Sequence, residues 1–212
     1  MALAPASGSN PAWADRPRIA QHLEGLNRLL ETTSELAQHQ DLDDILRIVT
    51  EGACDAHGCE RASLFLYDEE HNDLYTRVVT ELELSEIRRK LGESIVGRTA
   101  QDRQLMNVAD PSSDARWDDS IDQQTGFKTR NILATPLTSM SDGKLLGVLQ
   151  LLNKQGTTFD KYDEKLIQAF ATHAGNAIER QKLLAEARHS HEMQVAIEVG
   201  RKIQSSFLPN ST

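Results

Sequence analysis

Gln150 is the one amide in an otherwise apolar stretch of Leu145, Leu146, Val148, Leu149, Leu151 and Leu152, which only Gly147 otherwise interrupts. Such a run suits a strand buried in mid-sheet. A buried amide without a partner costs about 1–3 kcal/mol, so Gln150 should meet a protein group or a ligand. Beyond the run come Asn153, Lys154, a Gln155-Gly156-Thr157 turn and Phe159, with Asp163 and Glu164 in the first turn of a helix that Asp160 can cap. Lys154 and Asp163 can pair across that turn. The pair would either fix the helix on the sheet or remain a solvated ion pair worth about 0–1 kcal/mol. Ile95 and Val96 stand at a second helix start, opened by Ser94, where free N–H groups and the helix dipole favour an anion. Thr125 and Thr129 are spaced to turn both hydroxyls the same way on a helical turn.

Other reactive side chains do not form a centre. Cys54 and Cys59 have neither the spacing nor the companions of a disulfide framework or a zinc site, and read as buried or idle thiols. His189 and His191 splay on a helix and His173 falls beside a core, so no metal ligands are expected. The acidic pairs sit at helix starts and at Asp118-Asp119, where a solvated surface explains them and no catalytic residue is expected.

The elements that position these residues follow from periodicity. Ile19, Leu23, Leu26, Leu29 or Leu30, Thr33 and Leu36 give a long helix with a narrow apolar stripe, suited to a partner helix. Asp41 caps a second helix, with Leu42, Ile45, Leu46, Val49 and Ala53 on one face, that stops near Gly58. Strands are expected at Ala62–Tyr67, Asp73–Thr80, Glu86–Leu91, Met106–Val108 and Ile132–Leu137, and the acidic stretch from Asp110 to Gln124 reads as a surface loop or lid. The last helix starts near Asp160 and meets no breaker before Pro209. Its apolar face is wide as far as Ile178 and thin beyond Leu184. The class is α+β, a central antiparallel sheet flanked by helices with long helices at both ends.

With 212 residues, 39% of them hydrophobic, the chain can bury one core. A net charge of -9 opposes nonspecific binding to nucleic acid or an anionic membrane. No apolar run is long enough to span a bilayer, and a cytoplasmic location is expected.

Asn153-Lys154, Phe159 and Asp163-Glu164 match the NKFDE signature of cyclic-nucleotide-binding GAF domains. ASLFLYD, LGESIVG, TGFKTRNILATPL and DGKLLGVLQLLNK extend that resemblance from about Leu42 to Gln181. TGFKTRNIL is particularly similar to the GAF modules of phosphodiesterases and of some bacterial adenylyl cyclases. The resemblance implies a GAF fold and a regulatory sensor that takes cyclic AMP or cyclic GMP, with the NKFDE residues bracing the fold near the pocket. In that fold Ser63 and Gln150 lie on neighbouring strands and could meet the base edge. Ile95, Val96, Thr125 and Thr129 would serve the phosphate or ribose. Val79, Thr80 and Asp118 depart from the family, standing where related modules have an aromatic and an acid gripping the base, and an aromatic lid residue.

Met193 to Pro209 resembles the helix that opens SpoIIE-type serine phosphatase domains, whose metal-binding carboxylates would lie beyond Thr212. The expected organisation is a disordered lead (1–17), an N-terminal dimerisation helix (18–40), a GAF domain (41–181) and a linker helix opening an output domain (182–212). A parallel homodimer is expected, acting on the phosphatase domain in cis. The other expectation is a ligand-free GAF dimerisation and interaction scaffold.

Overall fold

The computed structural model describes residues 16–79, 84–118 and 120–207; at 16–18, 77–79, 84–86, 121, 124, 125, 200 and 203–207 it describes the backbone alone. The expected disordered lead lies almost wholly outside these residues, as does Thr80.

In chain order the elements are α1 (Arg16–Gln38), α2 (Leu42–His57), β1 (Cys59–Asp68), β2 (Asp73–Val79), β3 (Leu84–Lys90), α3 (Ser94–Asp102), β4 (Met106–Val108), a 3-10 turn (Pro111–Ser113), α4 (Ser120–Thr125), β5 (Ile132–Thr138), β6 (Leu145–Lys154) and α5 (Lys161–Phe207). The strands make one six-stranded sheet in the order β3-β2-β1-β6-β5-β4, with every neighbour antiparallel. This is the expected α+β GAF fold, with the apolar run at the centre.

Alternation along β1 and β6 divides the core between two faces. Leu64, Leu66, Leu149 and Leu151 turn towards α2 and α5, where Ile45, Val49, Ile167, Phe170 and Ile178 complete one buried cluster. Phe65 and Val148 turn the other way and join Ile95, Val96, Ile132 and Ala134 in a second cluster, capped by Trp117 and Met106. Gly147 interrupts the run because a Cβ there would sit 2.1 Å from the Phe65 carbonyl oxygen.

The helix ends follow local chemistry. Asp41 caps α2, its Oδ1 accepting from the amides of Asp43 and Asp44 at 2.9 and 3.3 Å, and Gly58 ends the helix at φ 59°. Ser94, at φ 60°, opens α3 and accepts from the Gly97 amide at 3.4 Å.

Three expectations need correction. The stretch from Asp110 to Gln124, expected as a surface loop or lid, is not loop throughout, because it carries the 3-10 turn and most of α4. Asp118 accepts from the Ser120 amide and pairs with Arg89 of β3 at 3.6 Å, which ties the segment to the sheet. The α1 stripe is split. Leu29, Thr32 and Leu36 are buried against the chain's own α2 and α5, whereas Ile19, Leu23, Leu26 and Leu30 stay exposed. Both rows fit a helical repeat, so tertiary packing decided between them. β1 and β3 also start earlier than expected, and Asn153 and Lys154 end β6 instead of following it. Among the described residues no helix is long and apolar enough to cross a membrane.

Candidate functional site

Ser63 and Gln150 are direct partners in the β1–β6 register, and Ala134 of β5 stands on Gln150's other side. All three belong to the face that α3 covers. Gln150 as a residue is 8% exposed, and its amide makes no hydrogen bond to any described residue. It therefore keeps unused donors and an acceptor on an otherwise apolar floor.

The side chains of Ile95 and Val96 pack into that floor at the start of α3, where the helix's first N–H groups lack intrahelical acceptors. Both side chains are almost fully buried, so any contact with a ligand must come from their backbone amides.

The two threonines do not share a helical turn. α4 ends at Thr125, since Gly126 adopts φ 68° and donates to the Asp122 carbonyl at 2.9 Å. Thr129 lies in the following extended segment, where Asp122 already accepts its hydroxyl at 2.9 Å and its amide at 2.7 Å. Of the Thr125 and Val79 side chains nothing is described. Arg61, which strand alternation places on the same face as Ser63, holds its guanidinium 4.0 Å from the centre of the Phe127 ring. Nothing in the sequence singles out this cation, because its aromatic partner is remote in the chain.

The five NKFDE residues form a brace beside this floor. Asn153 at φ 60° breaks the strand's alternation, which turns Lys154 towards α5 instead of the Gln150 face. The Asn153 Oδ1 accepts from the Arg130 amide at 2.6 Å, while its Nδ2 donates to Glu60 and to the Lys128 carbonyl, both at 2.8 Å. These bonds hold residues 128–130, and hence Thr129, against the start of β1.

Lys154 reaches Asp163 at 2.5 Å, and both side chains are buried, at 8% and 3% exposure. The pair is therefore the fixing contact and not the solvated alternative. Asp163 also accepts from the Asp160 amide at 2.7 Å while Asp160 accepts from the Asp163 amide at 3.1 Å, a reciprocal cap that starts α5. Phe159 is buried in the larger cluster. Asn107 of β4 donates to the Phe159 carbonyl at 3.1 Å and to Glu164 at 3.0 Å, and the bond to Glu164, with one from Lys161, holds that carboxyl below its ordinary range.

Behind the brace stands His57, 1% exposed, with ring nitrogens 2.7 Å from the Ala53 carbonyl oxygen and 3.3 Å from that of Asp163. Burial pushes its pKa down, with Lys154 a lesser contributor. The native state therefore resists protonation while the unfolded chain accepts a proton near pH 6.5. The sign follows: His57 leaves stability intact above that value and lowers it as pH falls from there towards the depressed native pKa. Between pH 6.5 and 5.5 the loss is at most about 1 kcal/mol. Urea midpoints across that interval should slope for the native sequence and flatten for His57→Gln.

Among the described residues no three His, Cys, Asp or Glu are grouped to hold a metal. Beneath α1, a cavity of about 190 Å³ opens beside Lys154, Asp160, Tyr162 and Asp163, on the side of the sheet away from Gln150.

Known proteins show the same plan. The chain is 29% identical over 181 residues to the dual 3',5'-cyclic-AMP and -GMP phosphodiesterase 11A of Takifugu rubripes, covering 79% of this chain and 20% of the relative. It is 26% identical over 219 residues to the cGMP-specific 3',5'-cyclic phosphodiesterase of Drosophila melanogaster, covering 94% and 20%. The chain thus spans about a fifth of the length of these curated relatives. A GAF domain from a phosphoenolpyruvate-protein phosphotransferase of Coxiella burnetii superposes with a TM-score of 0.69 at 21% identity, over 78% of this chain and 98% of that one. The free methionine-R-sulfoxide reductase of Neisseria meningitidis superposes at 0.65 and 18% identity, over 87% and 99%, and at such identities the likeness shows the fold alone. Residues 41–178 match the GAF domain family over well over half of the chain, and the chain belongs to that family.

Proposed function

We propose that this GAF domain is the regulatory module of a cytoplasmic signalling protein. It binds a cyclic nucleotide on the α3 face of the sheet, and its long C-terminal helix controls a SpoIIE-type serine phosphatase domain. The observation that carries the ligand assignment is Gln150, a largely buried residue beside Ser63 whose amide makes no hydrogen bond to a described residue. A purine edge supplies the donors and acceptors that such an amide lacks, and the first turn of α3 offers N–H groups to a singly charged phosphate. The similarity to cyclic-nucleotide phosphodiesterases supports the same ligand class. Calorimetry with cyclic AMP and cyclic GMP on ligand-free protein tests the reading. A nucleotide at about 100 times its Kd should add roughly 2.7 kcal/mol to stability. Neither heat nor a thermal shift at millimolar nucleotide would remove it.

The output mechanism rests on the helices. α5 is buried as far as Ile178, then exposes Leu183, Leu184, Met193, Val195, Ile197 and Val199, while α1 exposes Ile19, Leu23, Leu26 and Leu30. Apolar rows of this kind favour a parallel homodimer that bundles α1 and the distal half of α5 about a two-fold axis. Arg180 donates to the Leu36 carbonyl at 2.6 Å, so movement of α1 is felt by α5 within one chain. Sedimentation should give a dimer at micromolar concentration. A monomer unchanged by nucleotide would remove this mechanism.

A ligand-free scaffold is the second reading. The packing of Ile95 and Val96 into the Phe65 and Val148 cluster favours it, since protein side chains already fill that part of the floor.

A further inference from the structure

Cys54 lies in the last turn of α2 and Cys59 is the first residue of β1. Between them Gly58, at φ 59°, reverses the chain and brings the two sulfur atoms to 3.3 Å. That is sulfur–sulfur contact, and it leaves little movement between the dithiol and a bond of about 2.05 Å. The two thiols are not equivalent. Cys54 is half-buried and can be reached from outside, whereas Cys59 is buried at 6% exposure. The Cys59 S–H has two acceptors in reach, the Cys54 sulfur at 3.3 Å and the Arg61 carbonyl at 3.4 Å, while the Cys54 S–H has the Cys59 carbonyl at 3.0 Å; the bond to Cys54 holds that thiol below its usual range and, together with burial, pushes Cys59 up. Such asymmetry separates an outer attacking thiol from an inner resolving one.

We propose that Cys54 and Cys59 form a reversible dithiol–disulfide site that reacts with low-molecular-weight disulfides. The Cys54 thiolate attacks one sulfur of the small disulfide RSSR. A mixed Cys54–S–S–R bond forms, the RS–SR bond breaks, and RS⁻ leaves. Cys59 then gives its proton to that thiolate and attacks the Cys54 sulfur, forming the Cys54–Cys59 bond and releasing the second RS⁻, which takes a proton from water. The protein loses two electrons and two protons, and RSSR becomes two RSH. A reduced small thiol reverses both steps.

The site stands where the brace begins. Cys59 is the register partner of Lys154, the Gly58 carbonyl accepts from the Gln155 amide at 2.8 Å, and His57 reaches the Asp163 carbonyl. The oxidation state is therefore written beside the ion pair that starts α5. The dithiol lies in the cluster on the α2 and α5 side of the sheet, opposite the Gln150 face.

The test is the intact mass and thiol content of the full chain after incubation with millimolar oxidised glutathione. The native sequence should lose both titratable thiols, become lighter by two hydrogens, remain a single chain, and recover both thiols with dithiothreitol. Cys59→Ser should instead stop at one glutathione adduct on Cys54. Cys54→Ser should keep its remaining thiol and take no adduct. Retention of both thiols in the native sequence, an adduct that never resolves, or a bridge between two chains would each overturn the proposal. Because the native sequence alone decides it, a misfolded variant does not blunt the test.

Discussion

Asp163→Ala lowers the stability of the domain by about 3–5 kcal/mol, the cost of leaving a buried cation without its partner. For a chain of this size that is a fall of roughly 6–20 °C in Tm. Lys154 is 8% exposed, and among the described residues its ammonium donates to Asp163 alone, at 2.5 Å, so removing the carboxylate strands the ammonium. The same substitution deletes half of the reciprocal cap between Asp160 and Asp163. A lost helix cap adds about 1 kcal/mol. Asp163→Asn separates the two contributions, since an amide oxygen can still accept from the Asp160 amide but does not neutralise Lys154. The double change of Lys154→Met with Asp163→Leu should recover most of the loss, because apolar groups of similar volume need no partner. Urea denaturation measures all three. A cost below about 1 kcal/mol for Asp163→Ala would mean that water screens the pair despite its burial.

What could be read from the sequence was chemistry local in the chain. The run from Leu145 to Leu152 announced a central strand because its side chains are apolar on both faces, and the sheet buries both. Asp41, Gly58 and Asp160 marked helix ends because each cap bonds amides a few residues away or adopts a conformation its residue type favours.

What could not be read depended on distant segments or on backbone angles. His57 sits in an amphipathic helix with nothing near it to distinguish it, and its second partner is the carbonyl of Asp163, on α5. Leu29 and Leu30 both fit the α1 repeat, and only the docking of α1 on α2 and α5 selects Leu29 for burial. Thr125 and Thr129 have helical spacing, but Gly126 ends the helix between them. Cys54 and Cys59 look unrelated until the left-handed Gly58 folds one sulfur onto the other. For the nucleotide face, Gln150 was visible as a polar intruder in an apolar strand. Its pairing with Ser63 needed the sheet register.

Gln150→Leu should separate binding from folding. Leucine nearly preserves the volume, and the amide it replaces has no hydrogen bond to a described residue. Without ligand the variant should therefore be about as stable as the native protein, because no protein hydrogen bond to a described residue is lost. With cyclic nucleotide the two should separate. Losing a hydrogen-bonded amide from a buried site costs about 1–3 kcal/mol of binding, roughly 5- to 150-fold in Kd. The thermal shift that nucleotide gives the native protein should shrink or vanish in the variant, and Ser63→Ala should produce a smaller change of the same sign. If Gln150→Leu instead destabilises the unliganded domain by several kcal/mol, the amide has a structural partner. If the variant keeps the full nucleotide shift, the base edge is read elsewhere on the face, and Arg61 beside Phe127 becomes the next residue to replace.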